Sequence, residues 1–178
     1  MSYPPEYIQF LVEFHCTRDY FECHEILEEY WKNQPAKDRN PVWVAFIQLA
    51  VSQYHFRRDN RNGAIKSLRS AEKRFIQEKK QVTELGISHH LLLEMLNGLK
   101  ESILNKGEYH SVNLPIQNSR LLLLCQEACR KKALQWGSPS DLSQDILVHK
   151  HRIRDRSVVI EERNRQLEKR RNQGDVKR

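Results

Sequence analysis

Glycine and proline are scarce in this chain, six of each among 178 residues. Breakers that rare, set among runs of Leu, Glu, Lys and Arg, argue against a strand-and-loop architecture and for an all-α protein. Long apolar runs are missing too. The most apolar stretch, VWVAFIQLAV at 42–51, is far shorter than the ~20 residues that cross a bilayer, so no membrane span is expected. MSYPPEYIQF has no basic n-region and no long apolar h-region, so no secretory signal is expected either. Four cysteines without such a signal point to reduced thiols and a cytoplasmic protein. The short Cys-x₂-Cys knuckle is absent. Cys125 and Cys129 lie one helical turn apart and Cys16 and Cys23 flank the second predicted helix, a spacing open to zinc but commoner for buried thiols acting as small apolar groups. No internal repeat appears at solenoid periods.

What is present is charge, unevenly placed. Residues 149–178 hold eleven Lys and Arg against five Asp and Glu, which is six of the seven net positive charges. A nearly neutral body of residues 1–140 and a basic tail of 141–178 are therefore expected, the tail suiting nucleic acid or another anionic partner. Arg152, Arg154, Arg156, Arg163 and Arg165 are the candidate contacts, interleaved with Asp155, Glu161 and Glu162. Ile146, Ile153, Ile160 and Leu167 recur every seven residues there, giving one narrow apolar stripe on a long charged helix.

In the body the periodicity predicts five to seven helices. Pro4-Pro5 opens the first. Thr17 or Asp19 caps the second, which ends near Asn33, and Asn40-Pro41 opens a third that runs to about Arg58. The turn 59–63 separates it from a fourth helix at 64–79, Ser88 caps the next, and a further helix spans about 119–135. The third helix is apolar on nearly every side, as central helices are.

Two polar features interrupt this pattern. At ~100° per residue, Tyr20, Cys23, His24, Leu27, Tyr30 and Trp31 share one face of the second helix, with Glu28 one turn beyond His24 at its seam. On the third helix Gln48, Ser52, His55 and Asp59 form one stripe. Antiparallel packing would bring both seams together, so His24, Glu28 and His55 are the candidate catalytic or metal-binding residues, with Trp31, Gln48, Ser52 and Asp59 completing a binding seam. HEILE is not the HExxH of zinc proteases, since Glu28 stands where the second histidine would be. The bland counterpart is a hydrogen-bonded network that fixes the register of a greasy helix pair.

FHCTRDYFECHEILEEYW (14–31) followed by FIQLAVSQYHFRRDNRNGAIKSL (46–68) resembles the bacterial and archaeal domain of unknown function 309 family. The matching positions are His24, Glu25, Glu28, Trp31, Gln48, Leu49, Ala50, His55, Asn60, Gly63 and Ala64. The family usually has Gly where this chain has Asp59, and a small residue where it has Cys23. The likeness covers about residues 5–80, more weakly to 125, and excludes the tail. It implies a compact helical bundle and no established activity or cofactor. Arg18-x₅-His24 also resembles the Arg-x₄₋₆-His spacing of the higher eukaryote and prokaryote nucleotide-binding ribonucleases, a pattern any charged helix yields readily.

The reading that results is a binding or scaffold module. A metal-assisted hydrolase at His24/Glu28/His55 and an Arg-His ribonuclease-like domain are the alternatives; cofactor and partner are left open.

Overall fold

In the computed structural model of the chain, residues 3–153 are described. The chain divides into a first unit of residues 1–148 and a second of 149–178. Every regular element among the described residues is helical, apart from one isolated bridge pairing Ile87 with Ile116.

The first unit holds α1 (Pro5–Val12), α2 (Tyr20–Asn33), α3 (Pro41–Arg57), α4 (Arg61–Gln77), α5 (Lys79–Glu84), α6 (His89–Leu104), α7 (Ser119–Lys131) and α8 (Asp145–Val148). Side-chain caps set several starts: Asp19 Oδ1 accepts from the Glu22 amide, Asn40 Oδ1 from Val42, Asn60 Oδ1 from Gly63 and Asn118 Oδ1 from Leu121. Proline fills the first position of α1 and α3, where its missing N–H costs nothing.

α3 is the axis. It packs against α4 on one side and α2 on another, while α1 joins α2 to α7 and α6 covers α4. Phe46, at its centre, meets the rings of Tyr7, Phe10, Trp43 and Phe75 with centroids 4.9–6.5 Å apart. Burial of that aromatic cluster is what holds α1, α3 and α4 together.

More helices form than the five to seven expected. The pattern at 64–79 hides a break at Glu78, after which α5 makes a separate short helix. The long helix expected from Asp141 does not start there. Asp141 instead accepts from the Ser143 amide and hydroxyl and from Gln144, a local turn that competes with helix. α8 is a single turn, and the second unit contributes the equally short α9 (Lys150–Ile153). The remainder of the expected tail helix, with Arg154, Arg156, Arg163 and Arg165, lies outside the described residues.

Gly63 is also not in the turn where its sequence neighbours suggest it. It is the third residue of α4, and a Cβ there would lie 2.8 Å from Asn60 Nδ2 and 2.9 Å from His55 Cγ. Since Asn60 caps the helix and bonds His55 Nδ1 at 3.0 Å, an added methyl prises the cap open. Gly63→Ala is expected to cost about 1–2 kcal/mol. Gly98 in α6 has no atom within 4 Å of the same added carbon, so Gly98→Ala is expected to gain about 0.5–1 kcal/mol from reduced unfolded-state freedom. Urea midpoints of the two variants should move in opposite directions; a common sign refutes the packing argument at Gly63.

Candidate functional site

The two expected seams do not face each other. Gln48 accepts from Arg74 Nη1 at 3.0 Å and Ser52 Oγ donates to the Ala64 carbonyl at 2.9 Å, so this stripe of α3 is turned toward α4. His55 pairs with Asn60, and Asp59 with Arg61 at 2.8 Å, at the α3–α4 corner. The reason is that α3 has two packing neighbours, and its polar stripe went to the one that the α2 face does not touch. Burial and the nearby Arg58 cation lower the pKa of His55.

His24 has partners on its own helix instead. Its Nδ1 lies 3.1 Å from Glu25 Oε1 and its Nε2 3.7 Å from Glu28 Oε2, while Lys32 Nζ reaches the other Glu28 oxygen at 3.0 Å. His24, Glu25 and Glu28 can each present one ligand atom within 4.8 Å of the others. The cluster is half-exposed, contrary to the buried histidine expected from the wheel. Trp31 lies a turn further along, under Arg39, whose guanidinium sits 5.1 Å from the ring centroid. Glu25, which the wheel turns outward, belongs to this cluster, and His55 does not.

The thiols also correct the expectation. Cys16 and Cys129 are joined as a disulfide, whereas Cys23 and Cys125 are free and buried. Burial pushes the Cys125 thiol up to about 12 and the Cys23 thiol well above its usual range, which suits apolar packing and not metal ligation.

The most elaborate polar arrangement is elsewhere, where α1 turns into α2. α1 runs into a π-type turn, Glu13–Thr17, and the chain then passes through Arg18 in the left-handed region at φ 58°. That turn throws the Arg18 side chain inward. It is 1% exposed and binds two distant segments besides its own turn. Nε donates to the Ser138 carbonyl at 2.7 Å, Nη1 to the Phe14 and Val112 carbonyls at 2.8 and 2.7 Å, and Nη2 to Asn113 Oδ1 at 2.7 Å.

A second guanidinium, Arg57 from the end of α3, stands beside it. Nη1 donates to the Arg18 carbonyl at 2.7 Å and more weakly to Ser140 Oγ at 3.4 Å, and Nη2 donates to the Leu147 carbonyl at 2.9 Å. Its carbon lies 4.9 Å from the Tyr20 ring centroid, a cation–π contact. The Tyr20 hydroxyl meets that of Tyr109 at 2.8 Å, Tyr109 meets Ser140 Oγ at 2.8 Å, and Ser111 closes the group at 3.1 Å from Ser140. Burial holds the Tyr20 phenol well above its ordinary range; Tyr109 adds to the rise and the two cations oppose it. The phenol therefore stays protonated at physiological pH.

Arg18, Tyr109, Ser111, Asn113 and Ser140 line a cleft of about 290 Å³, and Arg57 and Tyr20 stand behind that lining. Its wall is fixed by His15. The Leu114 amide donates to His15 Nε2 at 2.9 Å, so Nδ1 must carry the proton and donate to the Leu11 carbonyl at 2.7 Å. Trp136 stacks on the imidazole at 4.3 Å, and the Gly137 amide donates to the His15 carbonyl. Glu13, the buried carboxylate of this corner, is occupied by Lys132 at 3.0 Å and by Thr17.

Sequence reading gave Arg18 only a place in the Arg-x₅-His24 pair, and the two side chains share no partner. Arg57, Tyr109, Ser111, Asn113 and Ser140 were missed. Their contacts with Arg18 and with one another span up to 95 residues, and helical periodicity carries no signal for them.

The family model for the domain of unknown function DUF309 matches residues 7–67. The chain is 49% identical to an uncharacterised Bacillus subtilis (strain 168) protein, YpuF, over 97% of its own length and 99% of the relative's. No solved structure matches. No helix among the described residues is long and apolar enough to cross a membrane. On the strength of a relative this similar along its whole length, and of the match over α1, α2, α3 and the start of α4, the chain belongs to the domain of unknown function 309 family.

Proposed function

We propose that the protein is a non-catalytic binding module and that its ligand seats in the cleft beside Arg18. The observation carrying this reading is that one buried side chain ties the residue 14, 112–113 and 138 segments into a single rigid border. Recognition groups held in place before binding lose little entropy when the ligand arrives. A recess of about 290 Å³ sits at the lower end of small-molecule sites. The test is to titrate the full chain with a panel of small polar compounds, neutral and charged, and follow backbone amide resonances. Saturable shifts confined to 109–113 and 137–142 are expected; shifts scattered over the helices, or none, overturn the reading.

The convergence of His24, Glu25 and Glu28 favours a second reading, a metal-assisted hydrolase centred on α2. Its carboxylates already serve Lys32 and the imidazole, which makes them poorer ligands than free ones. Under the binding-module reading, untagged protein dialysed against zinc or manganese retains well under one equivalent, and His24→Ala changes nothing. A full equivalent that disappears in His24→Ala would install the metal site instead.

A further inference from the structure

We infer that the cleft takes a small phosphomonoester, bound through its phosphoryl dianion. This rests on the proposed function, since it names the ligand class of the same site. Arg18 lines the cleft and Arg57 stands behind it against Ser140 Oγ, and neither faces an anion among the described residues. Arg18 spends four of the five guanidinium N–H groups on neutral acceptors, three carbonyls and one amide oxygen, and it lines the cleft with one Nη2 hydrogen uncommitted. Arg57 bonds two carbonyls and a hydroxyl, and its Nε is buried with no partner at all.

Buried cations are ordinarily matched by a carboxylate, because desolvating the charge is expensive. Neither guanidinium has one among the described residues, and Glu13 is spent on Lys132. Two uncompensated cations at one corner are a standing attraction for a doubly charged anion. A phosphomonoester carries about −1.5 to −2 at neutral pH, against −1 for a carboxylate or for one phosphodiester.

The remaining lining is suited to the same group. Tyr109, Ser111 and Ser140 form a ring of hydroxyls whose hydrogens can turn outward, and Asn113 holds its Oδ1 on Arg18 and so presents its Nδ2 hydrogens elsewhere. Donors of that number fit the many lone pairs of a phosphoryl group better than they fit a neutral polyol. The size of the recess admits the phosphoryl group with a short carbon chain.

The probes are inorganic phosphate, glycerol 3-phosphate, acetate and glycerol, titrated into the full chain at fixed ionic strength. The readouts are amide shifts at 109–113 and 137–142 and the fluorescence of Trp136, next to the cleft residue Gly137. Saturable binding of both phosphates is expected, with acetate at least about tenfold weaker, the step for one charge-assisted contact. Ser140→Ala leaves all four Arg18 bonds intact and Asn113→Ala leaves three of them, and each is expected to weaken glycerol 3-phosphate about fivefold to tenfold. Arg57→Lys keeps the charge behind Ser140 and is expected to weaken it less than Ser140→Ala does. If glycerol or other neutral compounds shift the same amides and the phosphates do not, the phosphoryl inference fails and the binding-module reading stands. If acetate matches phosphate, the dianion argument fails. If no probe shifts these amides, and none of the polar panel does, both readings fail.

Discussion

Arg18→Met is expected to lower the unfolding free energy by about 3–5 kcal/mol, enough to leave the chain marginally folded. Methionine fills much of the same volume and relieves the burial of a charge, which on its own would favour the variant. Against that stand the carbonyls of Phe14, Val112 and Ser138 and the Asn113 amide oxygen, all left without their donor. An orphaned buried acceptor costs about 1–3 kcal/mol, and the acceptors outnumber the single relieved charge. The Phe14 carbonyl belongs to the α1 corner, and the other three acceptors come from two loops that follow α6 and α7. Loss of the common donor therefore loosens both loops from the α1 corner. Arg18→Lys should recover little, because three donors on one nitrogen cannot span four acceptors arranged around a planar fork. Arg120→Met, at an exposed position of α7, serves as the charge control and should move the urea midpoint by less than about 0.5 kcal/mol equivalent. A midpoint for Arg18→Met within that margin would show that the bonds are not energetically coupled.

The helical class was legible in the sequence because it rests on local information. Asp19 and Asn40-Pro41 cap where the sequence marks a start, and the apolar faces of α1 and α6 repeat at helical spacing, whereas Asn60, which reads as turn, and Asn118 also cap and the expected Ser88 side chain does not. The face of α2 was half right. Tyr20, Cys23 and Leu27 are fully buried, but His24 at its edge reaches water and pairs with Glu25 and Glu28. A helical wheel assigns an azimuth and not the width of the covering surface, so residues at the margin of a stripe are where it fails.

The relation between the α2 and α3 seams was not legible for a different reason. Both stripes are real, yet a central helix has more than one neighbour, and periodicity does not say which neighbour receives which side. Ser52 bonding the Ala64 carbonyl shows the choice that was made. The cleft lay further out of reach. It depends on a π-type turn, on a non-glycine residue at positive φ, and on residues 107–116 and 136–142, which read only as loop and helix ends. Such positions are over-represented at functional sites because strain there is sustained by surrounding contacts.

Stability should fall as pH drops from about 6.5 to about 4, through His15. Burial, chiefly, and then the Arg18 cation lower its pKa to about 4, while the Nδ1–H bond to the Leu11 carbonyl acts in the other direction. Its Nε2 accepts a backbone hydrogen, so a second proton on the ring must break that bond inside a buried site. The unfolded chain takes the proton near the ordinary histidine value of about 6.5. Between the two values the unfolded state holds more protons, so the folded state gains stability as pH rises across the window. The contribution is complete above about 6.5, declines on acidification and is spent below about 4. A shift from 6.5 to about 4 corresponds to about 3 kcal/mol. Carboxylates titrate in the lower half of the same window, and His55, lowered in the same sense, adds to the slope. The difference between wild type and His15→Phe therefore isolates the residue. The variant starts less stable, because Leu114 N–H and Leu11 C=O lose a partner, but its stability should fall less on acidification by about the same 3 kcal/mol. Trp136, stacked on the ring at 4.3 Å, gives a local readout by fluorescence alongside urea melts at each pH. Parallel stability curves for the two proteins from pH 7 to pH 4 would mean that His15 titrates alike in both states, and would remove it as the acid-sensitive point of the cleft wall.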